Sequence, residues 1–319
     1  MRVRGPALRP MPRRNGSDVT PSELPTDTAV AVVFFRPSPE QVARIVERFA
    51  GRLPVFVCDN GGIPPEAQAQ LRDAEGLTRL GEGRNGGIAA ALNALAEAAT
   101  AAGFRRLFLL DQDADATVET ARALGHALDQ AAGEDPPPAL VGPAPAPKPG
   151  HKAPVYPLRP GVRPRESLRP VEFLATSGSL VDLAAFARVG PFREDFFIDA
   201  VDLEWCFRAW ACGRSCWMDP GTAIPHSVGR GTIRMRFLPV TMPDQPLFRM
   251  AVYVRNSAYS WRLPHVPARW KLKQAAYLPL QIALYWSRHR FSPRVLARLL
   301  AALAQGLGGH LGRPADAPP

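Results

Sequence analysis

The sequence predicts an α/β protein whose mainly parallel sheet is flanked by helices and followed by a basic helical extension. Short apolar segments alternate with amphipathic or Ala-rich segments through the first 131 residues, at the spacing of β-α-β units. Two of the apolar segments end in carboxylates, one at Asp59 and the other at Asp111 and Asp113. Because ligands of such sheets bind at the carboxyl ends of the strands, the pattern predicts a nucleotide-binding sheet.

The first half of the chain contains four strand patterns and three helix patterns. The predicted strands span residues 29–35, 54–58, 77–80 and 107–110, and the predicted helices span 40–50, 88–101 and 117–131. Val42, Ile45 and Phe49 recur at the helical period and therefore mark one apolar face. Thr117 is a predicted N-cap, with Thr120 following it in the first turn.

The second half of the chain is less regular. Residues 133–170 are rich in proline and predict a long irregular excursion. Beyond it, the patterns predict strands at 171–175 and 215–218, a polar turn at 176–179, and helices at 182–189, 202–212, 247–263, 270–286 and 293–307. His226 falls in the loop after the last predicted strand. We therefore expect a disordered segment at 1–28, an α/β domain at 29–262 and a basic amphipathic helical extension at 263–319.

Charge and cysteine content narrow the class of protein. The net charge is +10, and no Asp or Glu occurs from residue 245 to residue 315, where eleven Arg or Lys residues lie. Four cysteines without a Cys-x-x-Cys pair argue against a structural zinc site and favour free thiols. Neither a secretory signal nor an apolar run long enough to span a bilayer is visible, so the sequence predicts a cytoplasmic protein.

The acids after the strand at 107–110 form the first candidate site. Asp111 and Asp113 are separated by one residue, so in an extended chain both carboxylates point the same way. Two like charges this close favour a bound cation, and Mg²⁺ commonly binds one or two carboxylates together with substrate phosphates. The pattern predicts a metal-diphosphate site, with a solvated turn at the strand end as the simpler alternative.

A second acidic cluster occupies residues 197–205. It contains Asp199, Asp202 and Glu204, and His226 follows it further along the chain. A carboxylate in this cluster is a candidate proton acceptor, and a late imidazole is a candidate metal ligand. If the helix begins near Asp202, Asp199 becomes a capping residue outside that helix.

A glycine-rich turn offers a rival interpretation. Residues 81–86 match G-x-G-x-x-G and precede a helix, as in dinucleotide-dependent oxidoreductases. That fingerprint belongs to the first strand of a β-α-β unit, whereas here at least two strands come earlier. The next strand-end acid, Asp111, also lies too far along the chain, so this interpretation is a remote alternative.

Several motifs, taken in order, resemble the family-2 inverting glycosyltransferases of GT-A fold, specifically their rhamnosyltransferase branch. The matching blocks are 57–61, 85–93, 110–113, 176–179 and 197–208, followed by His226, Arg255 and Asn256. The match spans residues 29–260, and its strength lies in the order and spacing of the blocks. Residues 34–37 and Ala114 depart from the usual family pattern, but neither departure removes a group that the chemistry requires.

The resemblance implies a GT-A-like catalytic domain that uses a nucleotide-sugar donor and a Mg²⁺ or Mn²⁺ cofactor. Asp113 is then a metal ligand, and His226 completes the metal site. Asp59, Asn85 and Asp111 are implied to bind the nucleotide sugar: Asp59 at the nucleobase, Asn85 in the phosphate-facing turn before a helix, and Asp111 at the ribose or the metal's water shell. The simpler alternatives are that His226 is a structural histidine and that Asp59 only forms a turn.

By the same resemblance, Asp202 is the general base, and it is preferred to Asp199 because it holds the family's position in the motif. An acceptor hydroxyl that gives its proton to Asp202 attacks the anomeric carbon from the face opposite the diphosphate, which inverts the configuration. Glu204 is expected to orient a backbone donor or an acceptor hydroxyl.

The basic extension predicts a surface that binds an anionic membrane. Arg269, Lys271 and Lys273 lie near its start, and four aromatic residues occur between Trp270 and Trp286. Trp and Tyr suit the headgroup level of a bilayer, so the pattern predicts amphipathic helices on an anionic leaflet. A helical cap packed on the catalytic domain is the alternative. No nucleic-acid partner is expected, because no recognition module is visible.

The predicted function is a metal-dependent inverting glycosyltransferase that moves L-rhamnose from dTDP-L-rhamnose onto a cell-surface glycan or its lipid-linked precursor. The expected location is the inner face of the cell membrane. The same fold with another donor, such as a UDP-sugar, is one alternative. A non-catalytic scaffold is another, against which the intact Asp113, Asp202 and His226 argue.

Overall fold

A computed structural model describes residues 26–147, 154–226, 231–234 and 241–319. The strands are β1 Thr28–Phe34, β2 Val55–Asp59, β3 Leu77–Leu80, β4 Arg106–Asp111, β5 Pro138–Pro147, β6 Arg169–Pro170, β7 Leu180–Asp182, β8 Ser215–His226, β9 Thr232–Arg234 and β10 Thr241–Pro243. The helices are α1 Pro39–Phe49, α2 Pro65–Arg72, α3 Ile88–Ala101, α4 Val118–Ala131, α5 Leu183–Val189, α6 Val201–Ala211, α7 Leu247–Ser260, α8 Ala268–Arg288 and α9 Pro293–Gly308. Most of the predicted N-terminal segment, residues 1–25, lies outside the described residues, while Thr28 already belongs to β1 and is buried.

The main sheet of the described chain has eight strands in the order β3-β2-β1-β4-β7-β5-β8-β6. Strands β1 to β4 pair in parallel, β7 runs antiparallel to β4 and β5, and β5 and β8 again pair in parallel. Only β6 and β7 therefore point against the other strands of this sheet. This topology confirms the predicted mainly parallel α/β fold.

Helices cover both faces of the sheet, so its central strands are apolar throughout. All seven residues of β1 are buried. Ala31 and Val33 face a core that includes α3, while Val32 and Phe34 face the core under α1 and α4. Burial on both faces is typical of parallel strands. It fixes β1, β2 and β4 so that their carboxyl ends meet at one edge of the sheet.

Two of the helices that flank the sheet begin with reciprocal capping boxes. Ser38 caps α1 by accepting from the backbone of Gln41, whose side chain accepts in return from the Ser38 N–H over 2.9 Å. Thr117 and Thr120 form the same arrangement at the start of α4. Each box satisfies helix N–H groups that otherwise lack partners. The predicted N-cap role of Thr117 is confirmed.

The three C-terminal helices pack together around a small core of their own. Leu278 and Tyr285 of α8 and Leu299 of α9 are buried in it against α7. The start of α8 also contacts the α/β layer, because Trp270 packs edge-on against Phe173 with 5.3 Å between the ring centroids. Among the described helices, none has the length and apolarity that a membrane crossing needs.

The structure differs from the sequence-based prediction in four places. β5 crosses the Pro-rich stretch that the sequence predicts to be irregular, and α2 has no predicted counterpart. Residues 171–175 form no strand, since β6 is limited to Arg169–Pro170 and Val171 makes only an isolated bridge. β8 continues to His226, so the backbone of this residue ends a strand, opposite Pro147, instead of lying in a loop.

Candidate active site

A cavity of about 560 Å³ lies at the carboxyl ends of β1, β2 and β4. Four of the six site residues predicted from the sequence line it, namely Asn85, Asp111, Asp113 and Asp202, and the rival base Asp199 lines it as well. The remaining walls come mainly from the turn at 175–177, the start of α3, the segment before α6 and the start of α7. The fold thus brings together, in one cavity, motifs that are far apart along the chain. We call it the donor cavity, after the role that the sequence motifs predict for its residues.

The two strand-end carboxylates both line the donor cavity and repel each other. Asp111 ends β4, and its N–H donates to Ser177 Oγ over 3.0 Å. Gln112 ties this end of the sheet together, because its Oε1 accepts from the N–H of Phe35 over 2.8 Å. Burial, followed by repulsion from Asp113, raises the pKa of Asp111 to about 6. A divalent cation placed between the two carboxylates would relieve that repulsion.

Residues 196–200, which precede α6, have a strained backbone and are called the strained segment. Phe197, Asp199 and Ala200 have φ angles of 65°, 62° and 64°. Non-glycine residues rarely occupy this left-handed region, and each such residue costs on the order of 1–3 kcal/mol. The N–H of Ile198 donates to the carbonyl of Phe196 over 2.8 Å, which closes a γ-turn around Phe197. Strain of this kind persists where the surrounding structure imposes it, commonly at active sites.

The side chain of Asn256 on α7 contacts most of this segment, next to Arg255, whose Nη2 donates to the carbonyl of Phe196 over 3.1 Å. Asn256 is fully buried. Its Nδ2 lies 3.0, 2.9 and 2.9 Å from the carbonyl oxygens of Phe196, Ile198 and Asp199, respectively. Since the segment carries Asp199 and leads directly into Asp202, Asn256 fixes the position of the acidic cluster without touching the donor cavity itself.

The turn before α3 contacts both the strained segment and the last residues of the chain. The N–H of Ile88 donates to the carbonyl of Phe197 over 2.8 Å. Gly87 is required beside it, because its φ is 91° and a Cβ atom would lie 2.6 Å from the same oxygen. Asn85 Nδ2 donates to the carbonyl of Pro318 over 2.8 Å, and Pro318 lines the donor cavity. Nucleotide-sugar binding by Asn85 stays a prediction.

Asp202 lies in the first turn of α6, for which Ala200 is the N-cap. Its Oδ1 accepts from the N–H of Leu203 over 2.8 Å. Burial raises the pKa of Asp202 to about 6, against the opposing effect of that hydrogen bond. A carboxylate that lines a cavity and has a raised pKa is well matched to proton transfer near neutral pH.

Asp199, the rival candidate base, is held by an arginine. Its two oxygens lie 2.6 and 3.2 Å from Nη2 and Nε of Arg249. The expectation that Asp199 caps the helix is wrong, because Ala200 is the N-cap. With both oxygens engaged, Asp199 is less available as a base than Asp202. Arg249 also lines the donor cavity, and the sequence does not single it out because one arginine in a basic tract forms no motif.

Asp59 ends β2 but does not line the donor cavity. Its side chain is 2% exposed, with Oδ2 paired to Arg79 over 2.7 Å and Oδ1 accepting from the N–H of Gly62 over 2.8 Å. This arrangement organises the turn, and the nucleobase contact of Asp59 stays a prediction. Gly81 packs against the same turn, because a Cβ atom there would lie 2.6 Å from the carbonyl oxygen of Asp59. Close packing therefore accounts for a glycine of the G-x-G-x-x-G match.

The predicted metal centre is described only in part. The backbone of His226 ends β8, but its side chain is outside the described residues. Within the ranges that the structure describes, no group of three or more His, Cys, Asp or Glu side chains is arranged to hold a metal ion. The roles of Asp113 and His226 as ligands therefore stay predictions.

Glu204 takes part in the packing of α6 and does not line the donor cavity. Its oxygens accept from Arg208 over 3.1 and 3.0 Å, and Nε2 of His265 lies 2.8 Å from Oε1. The expectation that Glu204 orients a backbone donor or an acceptor hydroxyl is wrong, because its oxygens contact the side chains of Arg208 and His265 instead. It connects α6 to the chain just before α8.

The chain is similar in sequence to a known transferase. No family model matches the chain. It is 24% identical over 253 residues to the dTDP-rhamnosyl transferase RfbF of Shigella flexneri, and the match covers 76% of this chain and 82% of that relative.

Solved structures support the same fold. A crystal structure of S. aureus TarS 1-349 superimposes with a TM-score of 0.52 at 12% identity, covering 88% of this chain and 81% of that one. GalNAc-T7, crystallised with UDP, GalNAc and Mn²⁺, gives a TM-score of 0.51 at 14% identity over 79% of this chain and 54% of its own, so this chain spans about half of that protein. The motifs, the sequence relative and the fold agree that the chain is a glycosyltransferase of the GT-A type, similar to the rhamnosyltransferase branch of family 2.

Proposed function

We propose that this protein is a metal-dependent inverting glycosyltransferase that moves L-rhamnose from dTDP-L-rhamnose onto a cell-surface glycan or its lipid-linked precursor. One observation carries the proposal: Asp111, Asp113 and Asp202 come from separate motifs, yet they line a single cavity. Glycosyl transfer needs a holder for the departing diphosphate and an acceptor for a hydroxyl proton. The pair of strand-end acids suits the first task, and the carboxylate on α6 suits the second.

The chemistry that follows is a single displacement. The acceptor hydroxyl oxygen attacks the anomeric carbon while the bond from that carbon to the diphosphate oxygen breaks. The hydroxyl proton passes to Asp202, whose raised pKa favours proton acceptance, and the nucleoside diphosphate leaves with the bonding electron pair. Attack from the face opposite the leaving group inverts the configuration at that carbon.

A divalent cation fits the donor set of this cavity. Asp113, with its hard carboxylate oxygens, is the proposed ligand, and Asp111 is proposed to contact the ribose or the water shell of the metal. Burial and repulsion from Asp113 raise the pKa of Asp111, and a nearby cation would offset that repulsion. Mg²⁺ or Mn²⁺ commonly binds one or two carboxylates, with phosphates and water completing the coordination. When bound, the cation would neutralise charge that develops on the leaving diphosphate. His226 is the further ligand that the motifs suggest.

Arg249 adds a second positive group on the same side of the cavity. Its guanidinium pairs with Asp199 and lines the cavity near Asp111. A planar guanidinium binds phosphate oxygens in a bidentate manner, so Arg249 is well suited to contact the donor diphosphate. This assignment adds a residue that the motifs do not indicate.

The identity of the donor rests on the sequence relative, since RfbF is named a dTDP-rhamnosyl transferase. A UDP-sugar is the second candidate, because GalNAc-T7, which has a similar fold, was crystallised with UDP, GalNAc and Mn²⁺. The proposed site of action is the inner face of the cell membrane. Its support is the acid-free tract from residue 245 to 315, which would be attracted to anionic lipid.

A donor panel tests the proposal. The purified protein is titrated with dTDP-L-rhamnose, UDP-GlcNAc, UDP-GalNAc and NAD⁺, with and without Mg²⁺ or Mn²⁺, and its melting temperature is followed. We expect the largest stabilisation from dTDP-L-rhamnose with a divalent cation. A larger shift in melting temperature with a UDP-sugar would identify that sugar nucleotide as the donor. An equal shift with dTDP-L-rhamnose in EDTA would contradict the metal dependence. A shift with NAD⁺ alone would contradict the transferase function.

A further inference from the structure

A second cavity lies on the other side of the strained segment from the donor cavity. Its volume is about 380 Å³. Ala175, Asp199, Ala200 and Asp202 line both cavities, so the candidate base stands at their common boundary. A ligand in the second cavity would therefore approach Asp202 from the side away from the strand-end acids. The roles proposed for the donor cavity do not use this space.

The lining of the second cavity combines aromatic rings with neutral polar groups. The aromatic residues are Tyr156, Phe173, Tyr253, Trp270 and Tyr277. The amide and hydroxyl residues are Gln245, Gln274, Gln281, Ser257 and Ser260. Apart from the two shared aspartates, Lys273 is the one charged residue among the described lining, and its side chain is exposed.

This combination matches the two kinds of surface on a neutral sugar. The C–H face of a pyranose ring is apolar and packs on aromatic rings, while its hydroxyls need amide and hydroxyl partners. An acyl or isoprenyl chain would use the aromatic rings but would take water away from the amide and hydroxyl groups of the lining without offering them hydrogen bonds, at a cost in free energy. An anionic sugar would be repelled by Asp202 at the far end of the cavity. The chemistry of the lining therefore favours an uncharged saccharide.

The wall facing Asp202 is built by α8, which belongs to the basic extension. Trp270 is fixed by edge-on contacts with Phe173 and Phe207, at centroid distances of 5.3 and 5.6 Å. Across the cavity, Tyr253 Oη donates to Gln281 Oε1 over 3.1 Å and accepts from Gln274 Nε2 over 3.4 Å. This relay joins α7 to α8. The polar groups of α8 are thus held in a defined geometry before any ligand arrives.

We propose that the second cavity is the acceptor site, that it binds a neutral saccharide unit, and that Trp270 and Gln274 of α8 select that unit. The inference rests on the proposed glycosyltransferase function. It assigns to α8 a role in substrate choice in addition to any contact with a membrane. Trp270 supplies the stacking surface, and Gln274 presents an amide to the sugar hydroxyls.

The test uses saturation-transfer NMR on the full-length protein with dTDP and Mg²⁺ present. The probes are methyl α-L-rhamnoside, methyl N-acetyl-β-D-glucosaminide, methyl β-D-glucuronide and decanol. We expect a saturation-transfer signal from at least one neutral glycoside and none from the glucuronide. Decanol should not displace the bound glycoside. In Gln274→Leu, binding of the neutral glycoside should weaken at least about fivefold. Gln305→Leu, on the exposed face of α9, is the matched control and should leave it unchanged.

Trp270→Leu is the second variant, and its melting temperature is measured because Trp270 also packs on two aromatic rings. If Gln274→Leu and a folded Trp270→Leu both bind the glycoside as tightly as the wild-type protein does, the assignment is overturned. A saturation-transfer signal from decanol but from none of the glycosides would show a lipid site instead. Each variant is also titrated with dTDP-L-rhamnose. Unchanged donor binding together with unchanged glycoside binding refutes this inference alone, whereas absent donor binding in the wild-type protein refutes the proposed function.

Discussion

The side-chain amide of Asn256 donates to the carbonyl oxygen of Asp199 over 2.9 Å, from a position that has no exposed surface. The same nitrogen lies within 3.0 Å of two further carbonyls in the strained segment. Left-handed backbone at three non-glycine residues would relax in a free peptide, so these contacts are what maintain it. Asn256 is thus a positioning residue for the acidic cluster.

We expect Asn256→Ala to lower the turnover number far more than the affinity for the donor. The substitution removes the donor to the carbonyls of Ile198 and Asp199, whereas Phe196 keeps its contact with Arg255. Each such loss costs about 1–3 kcal/mol, so stability also falls. Asn93→Ala is a matched control, because Asn93 Nδ2 donates to the carbonyl of Phe192 over 2.9 Å, away from the strained segment. If both variants lose stability and turnover in the same proportion, Asn256 has no special role in positioning.

Asp113→Ala should abolish the part of donor binding that depends on a divalent cation. The substitution removes the proposed ligand, and Asp111 is then the remaining acid of the strand-end pair in the lining of the cavity. Calorimetric titration with dTDP-L-rhamnose, in Mg²⁺ and in EDTA, measures the difference. Asp115→Ala serves as control, since Asp115 pairs with Arg48 at the surface over 2.7 Å. Unchanged binding in the Asp113 variant would place the cation elsewhere.

Asp202→Asn should keep donor affinity and lower turnover by about 10² or more, the range of general base catalysis. Asn retains the shape of the side chain and accepts the hydrogen bond from Leu203, but it cannot take up a proton. Asp199→Asn is the informative comparison, because it weakens the pair with Arg249 while sparing the proposed base. A larger loss of single-turnover rate in the Asp199 variant would exchange the two roles.

The pH dependence follows from the raised pKa of Asp202, which is about 6. A general base must be unprotonated, so kcat/KM should fall about tenfold per pH unit below pH 6 and level off above it. The folded state binds this proton more readily than the unfolded state, so the contribution of Asp202 to stability declines as pH rises from about 4 to about 6. Asp202→Asn should therefore flatten this decline in urea unfolding. A pH profile that stays level down to pH 4.5 would contradict the assignment.

Binding to anionic vesicles should depend on the turn between α8 and α9. Arg288 and Arg290 are exposed there, beside Phe291, which is 59% exposed. Each basic group near an anionic surface contributes about 1 kcal/mol, so Arg288→Glu with Arg290→Glu should weaken flotation with phosphatidylglycerol vesicles more than about tenfold. The exposed pair Arg72→Glu and Arg188→Glu is the control for net charge. Equal loss in both variants would indicate a general effect of charge.

Charge reversal is preferable to removal of the whole extension. Leu278, Tyr285 and Leu299 are buried between α7, α8 and α9, and truncation before α8 would expose the apolar surface of α7. The packing of these helices and the basic surface are compatible, because the arginines of the α8–α9 turn point to solvent. A cap on the domain and a membrane-facing surface are therefore two faces of the same helices.

Local patterns predict the strands and helices that carry the donor cavity. The helix after the turn at Gly87 and the cap at Thr117 follow from composition and spacing alone, and the structure confirms both. β5 could not be predicted in this way, because proline lacks the N–H that a strand requires. Pro143, Pro145 and Pro147 alternate, so their missing donors fall on one edge, and in the described chain β7 pairs with β5 only at Leu140 and Val141.

The functional residues divide in a similar way. Asp111, Asp113 and Asp202 are visible in the sequence because they lie in compact motifs whose order is informative. Arg249 and the wall formed by α8 are not visible, because their importance depends on long-range packing that brings separate helices against the acidic segment. Asp59 illustrates the opposite case, since its strand-end position suggests a ligand contact while its two oxygens already have protein partners.

The carbonyl of Pro318 accepts a hydrogen bond from the side-chain amide of Asn85 at the donor cavity, and Arg313 donates to the backbone oxygen of Asn85 over 2.9 Å. A nucleotide sugar that uses this amide has to compete with the protein's own backbone. The measured affinity then equals the intrinsic affinity reduced by the fraction of molecules in which Pro318 has withdrawn. Any partner or modification that moves residues 313–319 away from Asn85 would raise the affinity for the donor without changing a group that contacts the sugar.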